Sequence, residues 1–267
     1  MPNQATEWSR QGKGTPLVLV HGFGLDPSIW SAVKAPLSQR YDVVTIGLPG
    51  LSATPFQPLQ TMDAGAEWLH QELADLHLGP FILAGHSMGG YLGLAYLQQF
   101  PDELLGLCLV HSHVFADSPQ KQAERKKVAA FVEKNGTAAW AKVAIPPLFS
   151  SSYRQHHAAD LEQYVTRFSR FEPTVIAQYL HAMAKRPDHR QTLQNSTKPT
   201  GLLMGTLDQH ATYTNNLRQV SLSPATAAYR LDGIAHMGMI EAPKQTAQAL
   251  QDFTAWCATM GSLQEKG

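Results

Sequence analysis

Phe81-Ile82-Leu83-Ala84, followed by Gly85-His86-Ser87-Met88-Gly89, is the stretch whose reading decides the fold. The four apolar residues predict a buried strand. The run from Met88 to Gln99 predicts a helix packed close to that strand. Between them a sharp turn must bring two backbones together. Gly85 and Gly89 remove the side chains that would collide there. Ser87 then stands at the apex with its hydroxyl exposed and the helix N-terminus aimed at it. A bare Gly-x-Ser-x-Gly is a weak pattern, because its residue types are common. A strand before it and a helix after it make it a nucleophile elbow.

On both sides of the elbow the chain alternates strand and helix. Leu17-Val18-Leu19-Val20 is a continuous apolar run, which predicts a strand buried on both faces. Residues 27–39 predict a helix with Asp26 as N-cap and Pro27 in its first turn. Strand 43–46, a Gly-, Pro- and Ser-rich loop from Gly47 to Pro58, and helix 62–76 capped by Thr61 follow. Pro101 stops the helix after the elbow, and 104–110 is the next strand. Strands 201–204 and 227–231, with helices 211–220 and 243–260, complete the pattern. Repeated βα units predict an α/β fold with a mostly parallel central sheet flanked by helices. Residues 114–197 interrupt it with helical periodicity alone, over 119–134, 137–144, 155–169, 173–185 and 188–194. The expected organisation is a core domain from 1–113 and 198–267, carrying a helical cap at 114–197. That cap would cover the strand C-termini, where ligands bind in open α/β sheets.

The 267 residues suit one large domain or one domain with an insertion, and suffice for a substantial core. Lys+Arg and Asp+Glu are both 21, so the net charge is zero and no nucleic-acid footprint is present. The basic cluster from Lys121 to Lys127 reads as a solvated helix face. Cys108 and Cys257 offer neither a disulfide framework nor metal-ligand spacing. Met1 to Arg10 is polar and does not read as a signal peptide. No run approaches the roughly 18 apolar residues that a membrane span needs. A cytoplasmic location without membrane or nucleic-acid partners is the expectation.

A serine hydroxyl needs a general base, a group to orient that base, and donors for a developing oxyanion. Gly205-Thr206-Leu207-Asp208 follows strand 201–204, and Gly233-Ile234-Ala235-His236 follows strand 227–231. Both loops lie on the sheet edge that carries Ser87, in the chain order Ser, Asp, His. His236 would take the Ser87 proton, and Asp208 would hold the imidazole tautomer. Asp208 also reads as a helix N-cap, and Asp232 and Asp117 are rival acids. His21-Gly22-Phe23-Gly24 follows the first buried strand, so the backbone N–H groups of Phe23 and Met88 form the expected oxyanion pair. His111 and His113, just past Val110, are candidate pocket residues. So are Met237 beside His236, and Trp140 and Phe149 in the insertion. The alternative is that the two histidines bond locally and that Trp140 and Phe149 form the insertion's own core. No metal and no cofactor is implied.

These motifs resemble the α/β-hydrolase superfamily, in particular its lidded members: carboxylesterases, enol-lactonases, carbon–carbon bond hydrolases and cofactor-free haloperoxidases. The matching residues are His21-Gly22-Phe23-Gly24, Gly85-His86-Ser87-Met88-Gly89-Gly90, Gly205-x-x-Asp208 and Gly233-x-x-His236. The resemblance implies an α/β-hydrolase fold and a serine hydrolase that cleaves a carboxylic ester or lactone of a small, largely apolar molecule through acyl-Ser87. It leaves a homodimer open. It also leaves three other readings: a menaquinone-pathway-type lyase, a carbon–carbon bond hydrolase, and a receptor-like member with slow turnover. Ser at the elbow disfavours epoxide hydrolase and haloalkane dehalogenase, whose elbows carry Asp. Two features depart from the family. The loop that usually opens with Asp and continues Arg/Pro-Gly-His-Gly-x-Ser reads Gly47-Leu48-Pro49-Gly50-Leu51-Ser52-Ala53-Thr54 here, which predicts a more mobile or more apolar rim. Little chain precedes Gly12, which leaves room for one leading strand where the family often has a hairpin.

Overall fold

The continuous apolar runs become strands covered on both faces, as a sheet between helical layers requires. The computed structural model describes residues 6–264, with side chains to residue 260. Residues 1–5 of the polar start lie outside the described residues. The strands are β1 (Trp8–Gln11), β2 (Pro16–Val20), β3 (Asp42–Ile46), β4 (Phe81–His86), β5 (Leu104–Val110), β6 (Thr200–Gly205) and β7 (Thr226–Leu231). They form one sheet in the order β1-β3-β2-β4-β5-β6-β7. β1 is antiparallel to β3, and the remaining pairs are parallel. Every residue of β3, β4 and β6 is buried, whereas β1 is an exposed edge. From β2 the chain moves outward to β3 and then returns across to β4. The C-terminal ends of β2 and β4 therefore flank the point where the winding reverses, the place an open α/β sheet offers for a ligand.

The helices are α1 (Ser31–Leu37), α2 (Met62–Ala74), α3 (Met88–Gln99), α4 (Pro119–Asn135), α5 (Thr137–Ala144), α6 (Ser151–His156), α7 (Ala158–Phe168), α8 (Pro173–Lys185), α9 (Arg190–Asn195), α10 (Tyr213–Gln219), α11 (Gly238–Glu241) and α12 (Pro243–Gln264). Two predicted helices are divided. Residues 27–39 give a 3-10 turn at Pro27–Trp30 and then α1, with the Asp26 carboxylate accepting from Ser28 N–H at 2.8 Å. Residues 155–169 give α6 and α7. Ser150 starts α6 early by accepting from Tyr153 N–H, and His157 leaves the helical region at φ −129°. Between β5 and β6 the chain is helical, from α4 to α9, and α4 packs on α8. Among the described residues, no helix is long and apolar enough to cross a membrane.

Candidate active site

The elbow forms because β4 must turn into α3 with no spare residue. Ser87 takes φ 52° and ψ −113°, a conformation that costs of order 1–3 kcal/mol and persists only where its surroundings hold it. They do. Ser87 N–H donates to Val110 O at 3.0 Å, and its carbonyl accepts from Gly90 N–H at 2.9 Å and Tyr91 N–H at 3.3 Å. The Ser112 hydroxyl donates to the same carbonyl at 2.7 Å. The glycines are required by contact: a Cβ on Gly85 would lie 2.2 Å from Gly89 O, and one on Gly89 would lie 2.5 Å from Val20 O. Met88 is the first residue of α3, so its N–H has no intrahelical partner and sits at the positive end of the helix dipole. Phe23 N–H also makes no hydrogen bond among the described residues.

Asp208 leaves the end of β6 and His236 the end of β7, and both are buried. His236 Nδ1 donates to Asp208 Oδ2 at 2.8 Å. Asp208 Oδ1 accepts from His210 N–H at 2.8 Å and Ala211 N–H at 2.9 Å. Burial by itself would push this carboxyl up. The charge of His236 and the hydrogen bonds from His111 and His236 outweigh burial and hold it well below the usual carboxylate range. With Nδ1 donating to the carboxylate, His236 keeps Nε2 as its acceptor nitrogen. Its main chain is fixed on both sides: its N–H donates to Leu148 O at 2.9 Å, and its carbonyl accepts from His86 Nε2 at 3.0 Å. Neither rival acid reaches it. Asp232 is exposed and paired with Arg230 at 2.6 Å. Asp117 is held by Arg125 at 2.5 Å and Arg186 at 2.8 Å.

Ser87 and His236 open onto one cavity of about 810 Å³, which lies between the sheet edge and the helices that follow β5. One wall is apolar and includes Phe23, Trp140, Ile145, Leu148 and Phe168. The Phe23, Trp140 and Phe168 rings pack on one another, with centroids 5.4–6.0 Å apart. Gly24 is needed twice, for its φ of +65° and because a Cβ there would overlap the Phe168 ring at 1.8 Å. Charged residues line the cavity too: Lys121, Arg125, Arg190 and Arg218, together with Asp117 and Glu124.

Trp140 and His113 line this cavity. Three expected pocket residues do not. Phe149 is buried and stacks on Tyr153 at 5.0 Å, with Tyr164 at 5.3 Å, so it belongs to the insertion's own core. Met237 is fully buried, and its carbonyl accepts from Ile240 N–H at 2.8 Å to start α11. His111 is fully buried and turns to Asp208 instead, with Nδ1 3.2 Å from Oδ2. The reading from sequence missed His210, which lies two residues after Asp208 and packs its ring 5.0 Å from that of His236. Its spacing from Asp208 was the available signal. Among the described residues, His111, Asp208 and His236 form the group whose donor atoms are close enough to hold a metal. Those Nδ1 and carboxylate atoms are already engaged with one another in hydrogen bonds.

The loop that departs from the family pattern is held by hydrogen bonds. His21 Nε2 accepts from Leu48 N–H at 3.0 Å, and the Thr54 hydroxyl donates to Gly47 O at 2.7 Å. Tyr179 of α8 donates to Pro49 O at 3.0 Å. An Asp would not fit at 47, where a Cβ would lie 2.3 Å from Ser52 Oγ.

Comparison with known proteins agrees with this fold. The model of the alpha/beta hydrolase family matches residues 17–249. The chain is 28% identical over 205 residues to a human (lyso)-N-acylphosphatidylethanolamine lipase. That match takes in 70% of this chain and 59% of the lipase, so the chain spans little more than half the length of that relative. An esterase from Thermogutta terrifontis, solved with malate bound, superposes with a TM-score of 0.90 at 28% identity, over 94% of this chain and 93% of the esterase. The enol-lactonase from Burkholderia xenovorans LB400 shares the fold, with a TM-score of 0.84 at 20% identity over 93% of this chain and 95% of the lactonase.

Proposed function

Because the chain belongs to the alpha/beta hydrolase family, we propose that it is a serine hydrolase that cleaves a carboxylic ester or lactone. The observation that carries this reading is the 2.8 Å bond from His236 Nδ1 to a buried Asp208, with His236 and the strained Ser87 on one cavity. His236 Nε2 takes the Ser87 proton as Oγ attacks the carbonyl carbon. The oxyanion is received by the N–H groups of Phe23 and Met88, each such donor contributing about 3 kcal/mol to the transition state. Collapse breaks the ester bond, and His236 delivers its proton to the leaving alkoxide. A water then reverses the sequence on acyl-Ser87. Asp208 stays ionised and stabilises the imidazolium.

The helices from 114 to 197 act as a cap over the reacting bond. The apolar residues of the cavity support an acyl or ring portion of modest size, and its charged residues support a polar group on the substrate. Ser87→Ala should lower hydrolysis of a p-nitrophenyl ester by several orders of magnitude while the fold is retained. A fluorophosphonate probe should label one serine in the wild type and none in the variant. Labelling that persists in Ser87→Ala would refute the assignment.

A further inference from the structure

The backbone leaves β5 through a conformation that few residue types adopt. His111 has φ 49°, in the left-handed region that costs an L residue about 1–2 kcal/mol. Its N–H continues the sheet by donating to Leu203 O at 2.9 Å. Ser112 follows and reaches the Ser87 carbonyl. This turn sends the His111 ring beneath the acid rather than into the cavity. The ring is fully buried, and its surroundings are fitted to it: a Cβ on Gly205 would lie 3.0 Å from Cε1, and one on Gly238 would lie 2.3 Å from Nε2. Among the described residues Nε2 has no hydrogen-bond partner, an omission worth about 1–3 kcal/mol for a buried polar atom. A strained backbone and an unsatisfied ring nitrogen are thus retained at the one place from which Nδ1 meets Asp208 Oδ2.

A carboxylate only accepts, so both imidazoles donate to Oδ2, His236 at 2.8 Å and His111 at 3.2 Å. We infer that His111 is a positioning residue of this site: its Nδ1–H fixes the plane of the Asp208 carboxylate and shares the charge that would otherwise fall on His236 alone. The effect on turnover rests on the serine-hydrolase reading; the shared hydrogen bond does not. The other groups facing His236 are His86 from β4 and His210 from the loop after β6. Lys121 and Arg125 of α4 act on His210 from the cavity side. His86 also faces the His111 ring, with centroids 6.2 Å apart, but burial holds it neutral, so it has no charge to change when His111 is replaced. Removing the second donor should therefore concentrate Asp208 on His236 and raise the proton affinity of that ring.

Two substitutions separate this role from packing. His111→Asn keeps an N–H donor on Cγ, where Nδ1 stands, and Asn accepts the left-handed backbone. His111→Gly relieves the backbone and removes the donor. In His111→Gly the NMR titration midpoint of the His236 ring should rise by about one unit, a tenfold gain in proton affinity. kcat should fall by about tenfold with KM within about twofold, and His111→Asn should recover most of both changes. The wild type alone provides a further check that needs no variant: buried imidazole Nδ1–H resonances are expected from His111 and His236, beside that of His21, whose Nδ1 meets Gly22 O. A His111 ring protonated only at Nε2 would overturn the inference. So would an unmoved His236 midpoint in His111→Gly, even with kcat reduced, since that is packing alone. A wild type inert toward esters, with the midpoint still moving, would defeat the hydrolase reading and leave the positioning role standing.

Discussion

At the scale of the residue, Asp208 carries the heaviest demand. Four donors converge on its two oxygens, so it has no lone pair to spare and no room for a neutral substitute. In Asp208→Asn, an amide facing His236 Nδ1 either presents N–H to N–H or forces the ring into the other tautomer. kcat for ester hydrolysis should drop by about 10²–10⁴ with little change in KM. Asp232→Asn serves as the control, since Asp232 is exposed and pairs with the exposed Arg230, and turnover should stay near wild type. Steady-state kinetics on both variants checks the pair. An Asp232→Asn variant as impaired as Asp208→Asn would mean the acid is misplaced. Ser87, Asp208 and His236 were legible in the sequence as candidates because each follows a strand end, and strand ends show as breaks in apolar runs. His111 was not legible as a partner of Asp208. Its direction depends on a positive φ, which no apolar pattern encodes for a histidine.

Elements differ in how clearly the sequence announces them. β2 to β6 are apolar runs that only a doubly covered sheet can bury. β1 is four exposed residues held by the edge of β3, and no periodicity marks it. The helices after β5 were legible as helices. Which of their aromatic rings face inward was not, because a short helix broken by proline can turn either face to the core. Trp140 and Phe149 settled on opposite sides. Their substitutions should therefore part company. Trp140→Ala opens the cavity wall beside Phe23 and Phe168, and should extend the acceptable acyl length in a p-nitrophenyl ester series. Phe149→Ala should lower stability by about 3–5 kcal/mol, as removal of a buried ring does, and leave the chain-length profile as it was. The two profiles, read beside urea midpoints, test this division. An unchanged profile in Trp140→Ala would take that ring out of substrate selection.

Across the whole molecule, buried neutral histidines tie stability to pH. His21 is fully buried, and burial pushes its pKa down to about 4 despite its hydrogen bond to Gly22 O. An unfolded histidine titrates near 6.5, so between these values the unfolded chain takes up a proton that the folded chain refuses. Stability from this group is complete above about pH 6.5 and is lost as pH falls toward 4, by roughly 3 kcal/mol. Asp208 adds to that slope only near the acid end of the window, where an unfolded aspartate begins to take up a proton near its ordinary value of about 3.9 and the folded one stays ionised. Denaturant midpoints measured from pH 7.5 to 4.5 should fall steadily. His21→Gln should be less stable at pH 7.5 but lose about one proton's share of the slope; equal slopes would remove His21 from the account. The bond from His236 N–H to Leu148 O has a different kind of consequence. His236 is stitched to the helical segment between β5 and β6, so that segment cannot be exchanged as a free-standing part. A chimera that imports 114–197 from another family member imports a new anchor for the general base with it. Grafts that stop short of residue 148 would change the walls of the cavity and leave that anchor native.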